Sequence, residues 1–288
     1  MNNDLRVYLI RGVDLSLIGY VIDGWEVKSI CATSVCDSPI KERAMFNILR
    51  RNFLQSEPYL WEYCGDINNP KFIYLFKQTT NWLEACNVIT ALRLYKLSEI
   101  GMSYPLFFNQ AGGCIVNISY DYHNMHFRED VPLFSLTEEE RRKIQEFYVL
   151  VSKPQTDHIQ QMIQLFHEAY RNHNRHIAFI MRVTILEMLI EGNAELVFRL
   201  SRSVAVLLGR DKTESQEIFN HCKKIYSARS TFLHDGRTDR ITPEAELLAL
   251  DYSRRVIANL ICIEKDIKEV RKTLDICGFG DDPYKVQF

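Results

Sequence analysis

The stretch TESQEIFNHCKKIYSARSTFLHDG, residues 213–236, decides the fold because it carries the pattern of one long amphipathic helix. Its first four residues have the Thr-x-x-Gln form of a capping box, and Asp235-Gly236 is typical of a helix end. One stripe of positions recurs at steps of four, three, four and three residues: Ile218, Cys222, Ile225, Arg229 and Phe232. A stripe with this spacing is the face that a helix buries against its neighbours.

Arg229 occupies a position in this stripe where the spacing requires an apolar residue. Burying a guanidinium without a partner is costly, so either the stripe reaches solvent here or Arg229 faces a polar cleft or an interface. His234 follows five residues later, which is about 140° around an ideal helix. The two side chains therefore meet only if the last turn loosens before Gly236, or if two copies of the motif meet across a two-fold axis.

The rest of the chain after residue 135 also has helical patterns. Ser135 or Thr137 is the N-cap of the first helix, Thr242 precedes a proline at a first helical position, and Gly192 and Gly209 fit helix ends. The spacing predicts helices near residues 137–151, 156–171, 174–191, 194–208, 213–234 and 243–275. Residues 136–288 are therefore predicted to form an all-α helical bundle.

Residues 1–135 mix strand and helix signals. Helical spacing appears at residues 41–53 and 82–97. Four segments are rich in β-branched and aromatic residues with glycine punctuation: LRVYLIRG (5–12), GYVIDGWEVKSICAT (19–33), KFIYLFKQ (71–78) and GGCIVNISYDY (112–122). This part is predicted to be a mixed α/β region, which makes the whole chain α+β; the patterns do not determine the strand order.

Composition excludes several classes of protein. The 288 residues are 47% hydrophobic and 25% charged with a formal net charge of −2, which is globular and not broadly basic. The eight cysteines include no C-x-x-C pair, which favours a reducing cytosol. The first residues, MNNDLRVYLIRGVD, lack the pattern of a signal peptide, and no apolar run approaches the roughly 18 residues of a membrane span. We expect a cytoplasmic protein that does not contact a membrane.

No histidine cluster makes a convincing metal site. His123 and His126 are spaced H-x-x-H, and His167, His173 and His176 lie close in sequence, but neither group has a third ligand at metal spacing. We therefore expect no metal and no cofactor. Separately, a carboxylate at position 187 lies in the apolar run ILEMLIEG, where it either pairs with an arginine such as Arg199 or emerges at the helix edge.

Residues 196–236, LVFRLSRSVAVLLGRDKTESQEIFNHCKKIYSARSTFLHDG, resemble the Apea-like branch of the HEPN superfamily. The resemblance rests on an Arg/Ser-bearing helix that ends in Leu-Leu-Gly, a charged turn, and then Ile-Tyr-x-x-Arg-Ser and His-x-Gly. VITALRLYKLSEIGM, residues 88–102, is similar to a segment that often accompanies this domain.

The resemblance implies a helical HEPN bundle that dimerises and cleaves RNA without a metal. The family signature is an arginine, four to six residues, and a histidine, with a polar residue beside the arginine. Arg229, Ser230 and His234 match it, although many members have Asn, Asp or His where this chain has serine. Cations outnumber acids 9 to 5 between residues 199 and 240, and the candidate RNA-binding residues are Tyr226, Lys223, Lys224, Arg237 and Arg202.

The family also implies a role in phage defence or as a toxin, with an activator or antitoxin that the sequence does not identify. Two other readings stay open at this point. One is a non-catalytic HEPN module for dimerisation or for binding RNA or another partner, and the other is a sensor of a nucleotide or small ligand.

Overall fold

The computed structural model describes residues 5–31, 43, 46–47, 72–77, 82–98, 100–102, 106–108, 131–172, 174–192 and 194–286. The chain divides into two compact units. Met1–Arg93 and Ser98–Tyr148 form the first unit, and Leu94–Leu97 and Val149–Phe288 form the second. The domain boundary that the sequence places between residues 135 and 136 stays a prediction.

An antiparallel sheet is the centre of the first unit. Its strands are β1 (Leu5–Arg11), β2 (Val21–Ile22), β3 (Trp25–Ile30), β4 (Phe72–Phe76), β5 (Gly101–Met102) and β6 (Leu106–Phe108). They are ordered β2-β3-β4-β1-β5, and β6 also pairs with β1. Three of the four strand segments expected from sequence are confirmed, and the fourth, 112–122, lies outside the described residues.

The β2–β3 hairpin shows why the sequence folds this way locally. Asp23 and Gly24 are its two loop residues, with φ of 47° and 75°. Positive φ at both central positions defines the turn that matches the twist of paired strands, and Asp-Gly is the sequence that adopts it most readily.

Besides a short 3-10 helix (Leu15–Leu17) and the helical residues 43, 46 and 47, the described residues include eight α-helices: α1 (Trp82–Tyr95), α2 (Glu138–Ser152), α3 (Asp157–Arg171), α4 (Arg175–Glu187), α5 (Leu196–Leu208), α6 (Lys212–Asp235), α7 (Pro243–Ile263) and α8 (Ile267–Ile276). No described residue of Val149–Phe288 lies in a strand. The α+β class with a helical C-terminal part is therefore confirmed. No helix in the described part of the chain is long and apolar enough to cross a membrane.

Helix caps account for several of these bounds. Thr137, and not Ser135, caps α2, because its hydroxyl accepts from the amide of Glu140 while that glutamate accepts from the amide of Thr137. The capping box expected at Thr213 is wrong, because Asp211 caps α6 by accepting from the amides of the second and third helical residues. Thr242 caps α7 as expected.

The helix expected over residues 243–275 is two helices. Glu264 adopts a left-handed conformation with φ of 51° and ends α7. Asp266 then caps α8 by accepting from the amide of Lys268. The chain therefore turns between residues 264 and 266 without a glycine or proline.

Candidate functional site

The stripe of α6 is buried at its start and emerges towards its end. Ile218, Cys222 and Ile225 are buried, whereas Arg229 and Phe232 are only partly covered. The Arg229 side chain keeps 22% of its surface exposed. In the single chain, the guanidinium thus lies where the packed stripe becomes partly exposed.

Arg229 is held by an ion pair to the last residue of α4. Its Nη2 lies 3.1 Å from Oε2 of Glu187, whose side chain is also 22% exposed. The Arg229 guanidinium also lies 5.6 Å from the centre of the Tyr226 ring, which is a cation–π distance. Its Nε is buried and donates to no acceptor among the described residues. One carboxylate therefore satisfies this guanidinium only in part.

Burial raises the pKa of Glu187 above its ordinary value of 4.5, and the positive charge of Arg229 opposes that rise. Arg199, the partner considered from sequence, instead donates to the carbonyl of Glu191 at 2.6 Å. Glu187 is thus the residue of this site that sequence reasoning did not assign. Its only signal was a carboxylate at the end of an apolar helical run, which does not specify a partner 42 residues away.

The last turn of α6 does not loosen. The helix continues to Asp235, and Gly236 ends it with φ of 69° while donating its amide to the carbonyl of Phe232 at 3.0 Å. The suggestion that His234 swings round to Arg229 is therefore wrong. The two residues remain about 140° apart around the helix axis, and His234 is exposed.

Most of the other candidates share one face of α6. At about 100° per residue, six side chains fall within an arc of roughly 100°. None of them is buried, and we call this set the α6 face: Phe219, Lys223, Tyr226, Ser230, Leu233 and His234. The acids of the helix, Glu214, Glu217 and Asp235, lie about 150° from the centre of that arc.

Three candidate RNA-binding residues lie elsewhere. Lys224 is exposed but points about 100° away from Lys223. Arg202 on α5 donates to the carbonyls of Leu274 and Cys277, each at 2.6 Å, so it caps the end of α8. Arg237 lies beyond the end of α6, where it is exposed and pairs with Asp239 at 2.9 Å. The roles of these three residues in binding stay predictions.

The histidine clusters are described only in part. His123, His126 and His173 lie outside the described residues. His176, on α4, places its ring 6.0 Å from that of Phe232. Within the part of the chain that the structure describes, no group of three His, Cys, Asp or Glu side chains is arranged to hold a metal ion.

The end of α1 and the two residues after it contribute to the second unit, which we call the helical unit. Leu94–Leu97 belongs to that unit, and the carbonyls of Leu94 and Tyr95 each accept from Nη1 of Arg254 at 3.1 Å. A buried arginine on α7 thus satisfies two carbonyls at the end of α1.

Comparison of the chain with protein-family models, with curated proteins and with solved structures gives no match.

Proposed function

We propose that the helical unit is a HEPN-type bundle that cleaves RNA as a dimer without a metal ion, with Arg229 and His234 at the reacting phosphate. The observation that carries this proposal is the position of both residues in the last two turns of one helix. His234 is an exposed member of the α6 face, which carries no acid, and Arg229 lies about 40° beyond the edge of that face. A polyanionic substrate favours such a surface.

The chemistry of these side chains fits cleavage by the RNA's own 2′-hydroxyl. A histidine removes the 2′ proton, the 2′ oxygen attacks the adjacent phosphorus, and the bond to the 5′ oxygen breaks as that oxygen takes a proton from the imidazolium so formed. A guanidinium neutralises the charge that develops on the phosphorane oxygens. The products are a 2′,3′-cyclic phosphate and a 5′-hydroxyl. Ser230, next to the arginine, orients groups in this scheme and transfers no proton.

The geometry of α6 supports the proposal of a site shared between two copies. Because Arg229 and His234 lie about 140° apart on a regular helix, one chain presents them in different directions. A two-fold axis near the end of α6 would bring the arginine of one copy to the histidine of the other, since a symmetric interface joins the same patch twice. We expect light scattering to give a dimer at micromolar concentration, and a clean monomer would refute this part of the proposal.

The activity is tested with purified protein, total RNA and tRNA in the presence of EDTA. We expect cleavage that survives EDTA and leaves 2′,3′-cyclic phosphate ends, and no cleavage by His234→Ala. Activity that EDTA abolishes and a divalent ion restores would refute the mechanism. Cleavage by His234→Ala at the rate of the parent would show that the site lies elsewhere.

A mixing experiment tests the shared site. Arg229→Ala and His234→Ala homodimers are each expected to be inactive. A heterodimer of the two contains one site with an intact arginine and an intact histidine from different copies. We expect mixing and re-equilibration to restore activity, whereas continued inactivity with verified exchange of chains would show that both residues must come from the same chain.

The second candidate function is a non-catalytic HEPN module for dimerisation or for binding RNA or another partner. The ion pair between Arg229 and Glu187 favours it, because a paired, partly buried arginine also serves the packing of α4 on α6. This reading predicts RNA or partner binding without cleavage by the wild-type protein. For either module we also propose a cytoplasmic role in phage defence or as a toxin, under an activator or antitoxin.

A further inference from the structure

An aromatic cluster lies beside the first turns of the α6 face. Phe198 on α5 and Phe219 on α6 have ring centres 5.9 Å apart in an edge-to-face arrangement. Phe279, after α8, lies 5.6 Å from Phe219. Phe198 keeps 53% of its surface exposed and contacts Phe219, which in turn contacts Phe279.

One cation lies beside this cluster, and the two acids that follow Phe279, Asp281 and Asp282, accept from backbone amides of their own turns. Nζ of Lys223 lies 5.5 Å from the centre of the Phe219 ring. Gln216 is exposed about 60° from Phe219 around the helix, whereas Glu217 lies about 160° from Phe219. Protein–protein interfaces are typically depleted in lysine, whereas single-stranded nucleic acids bind to aromatic rings flanked by cations. The chemistry therefore favours a nucleic acid as the occupant.

We propose that Phe198 is a stacking platform for an unpaired base of a single-stranded nucleic acid, with Lys223 contacting an adjoining phosphate. Every base has a flat π face, so such a platform binds strands with little regard to sequence. This proposal rests on the proposed function, in which His234 acts on RNA. Phe219 and His234 are fifteen residues apart on α6, about 22 Å along the helix. A strand stacked on Phe198 could therefore run along the α6 face to the cleavage site.

The probe is a labelled single-stranded 2′-O-methyl RNA of about twelve nucleotides, a length within the usual site size of single-strand binders. Its 2′ oxygen cannot attack, so binding is measured whether or not the protein cleaves RNA. Fluorescence anisotropy on the full chain compares the parent with Phe198→Ala, Phe198→Leu and Phe198→Trp. The leucine variant keeps an apolar side chain without a π face, and the tryptophan variant keeps stacking.

We expect Phe198→Ala and Phe198→Leu to weaken binding roughly 5- to 150-fold and Phe198→Trp to retain it. The same sequence annealed to its complement should show no such dependence, because its bases are already stacked. Lys223→Ala should lower the slope of log Kd against log salt by about 0.7, the value of one phosphate contact on a single strand. Lys268→Ala, at an exposed position in the first turn of α8, is the matched control, and it should leave the slope unchanged.

Four outcomes would overturn the proposal. Binding that Phe198→Leu retains in full would mark an apolar contact and not stacking. Dissociation of a dimer by Phe198→Ala, seen by light scattering, would assign the ring to an interface between copies. Equal binding by all three variants, or no binding by the parent, would leave no stacking site. Unchanged thermal unfolding of each variant confirms that the loss is local.

Discussion

Replacing Arg229 with alanine tests whether its ion pair to Glu187 stabilises the helical unit. Removing one partner from an exposed pair costs about 0–1 kcal/mol, and removing one from a fully buried pair costs about 3–5 kcal/mol. Both side chains here are 22% exposed, which lies between those limits. We expect a loss of about 1–3 kcal/mol, which lowers Tm by roughly 2–12 °C in a domain of this size.

The loss should depend on pH in a direction set by Glu187. Its pKa in the folded protein is raised from 4.5 by burial, so the native state holds the proton more tightly than the unfolded chain. The free energy of unfolding therefore falls as pH rises from the unfolded pKa through the folded pKa. Arg229→Ala removes the charge that opposes the rise, so the pKa of Glu187 in the folded protein moves higher and the pH range between the unfolded and folded pKa values widens. The difference in free energy of unfolding between parent and variant should be largest above that pH range and shrink on acidification.

Thermal and denaturant unfolding at about pH 8 and about pH 5 measure this gap. Glu187→Gln and the Arg229→Ala/Glu187→Gln double variant complete the cycle, and the double variant should lose less than the sum of the single variants. A gap that is the same at both pH values, together with additive losses, would show that Arg229 stabilises the fold without this carboxylate. Unchanged stability of Arg229→Ala at both pH values would show that the pair contributes nothing.

Three further predictions concern α6 and its connections. His234→Ala should change stability by less than about 0.5 kcal/mol because the side chain is exposed, while cleavage falls roughly 10²- to 10⁴-fold; a large loss of Tm would contradict this. Asp211→Ala removes the N-cap of α6 and should cost about 0.5–2 kcal/mol in denaturant titrations, whereas an unchanged midpoint would mean that water replaces the cap. Gly209→Ala would place a Cβ against Oγ of Ser215 and 2.7 Å from its Cα, so we expect a loss of about 1–3 kcal/mol; a neutral result would show that the α5–α6 turn adjusts.

The helices were the most predictable part of the fold because their signals are local. Thr242 before a proline and Thr137 before a glutamate each predict a cap within four residues, and both caps form. The break after Ile263 was missed because helical spacing continues across it at Val270 and Leu274, which are both buried. The left-handed residue at the break is a glutamate, and nothing in its local sequence favours that conformation.

The site was less predictable because its contacts are not local. The pattern of α6 identifies Arg229 as a charge in an apolar stripe, which correctly indicates that it needs a partner. The choice of Glu187 over another carboxylate depends on how α4 and α6 pack, which no spacing within either helix determines. The partner of Arg202 was equally unpredictable, because this arginine on α5 donates to carbonyls at the end of α8.

The regular end of α6 constrains how Arg229 and His234 could act together. Gly236 ends the helix after His234, which lies in the last regular turn. The backbone therefore does not bend in a way that would bring the imidazole to the guanidinium. Arg229 meanwhile faces a carboxylate on α4 that competes with any phosphate for its donors. A phosphate that binds Arg229 must therefore either share it with Glu187 or displace that carboxylate, and the histidine that acts on the same phosphate must approach from another direction. In the dimer that we propose, a second copy of α6 related by a two-fold axis would supply that histidine without disturbing either helix, so the proposed cleavage mechanism depends on the proposed dimer.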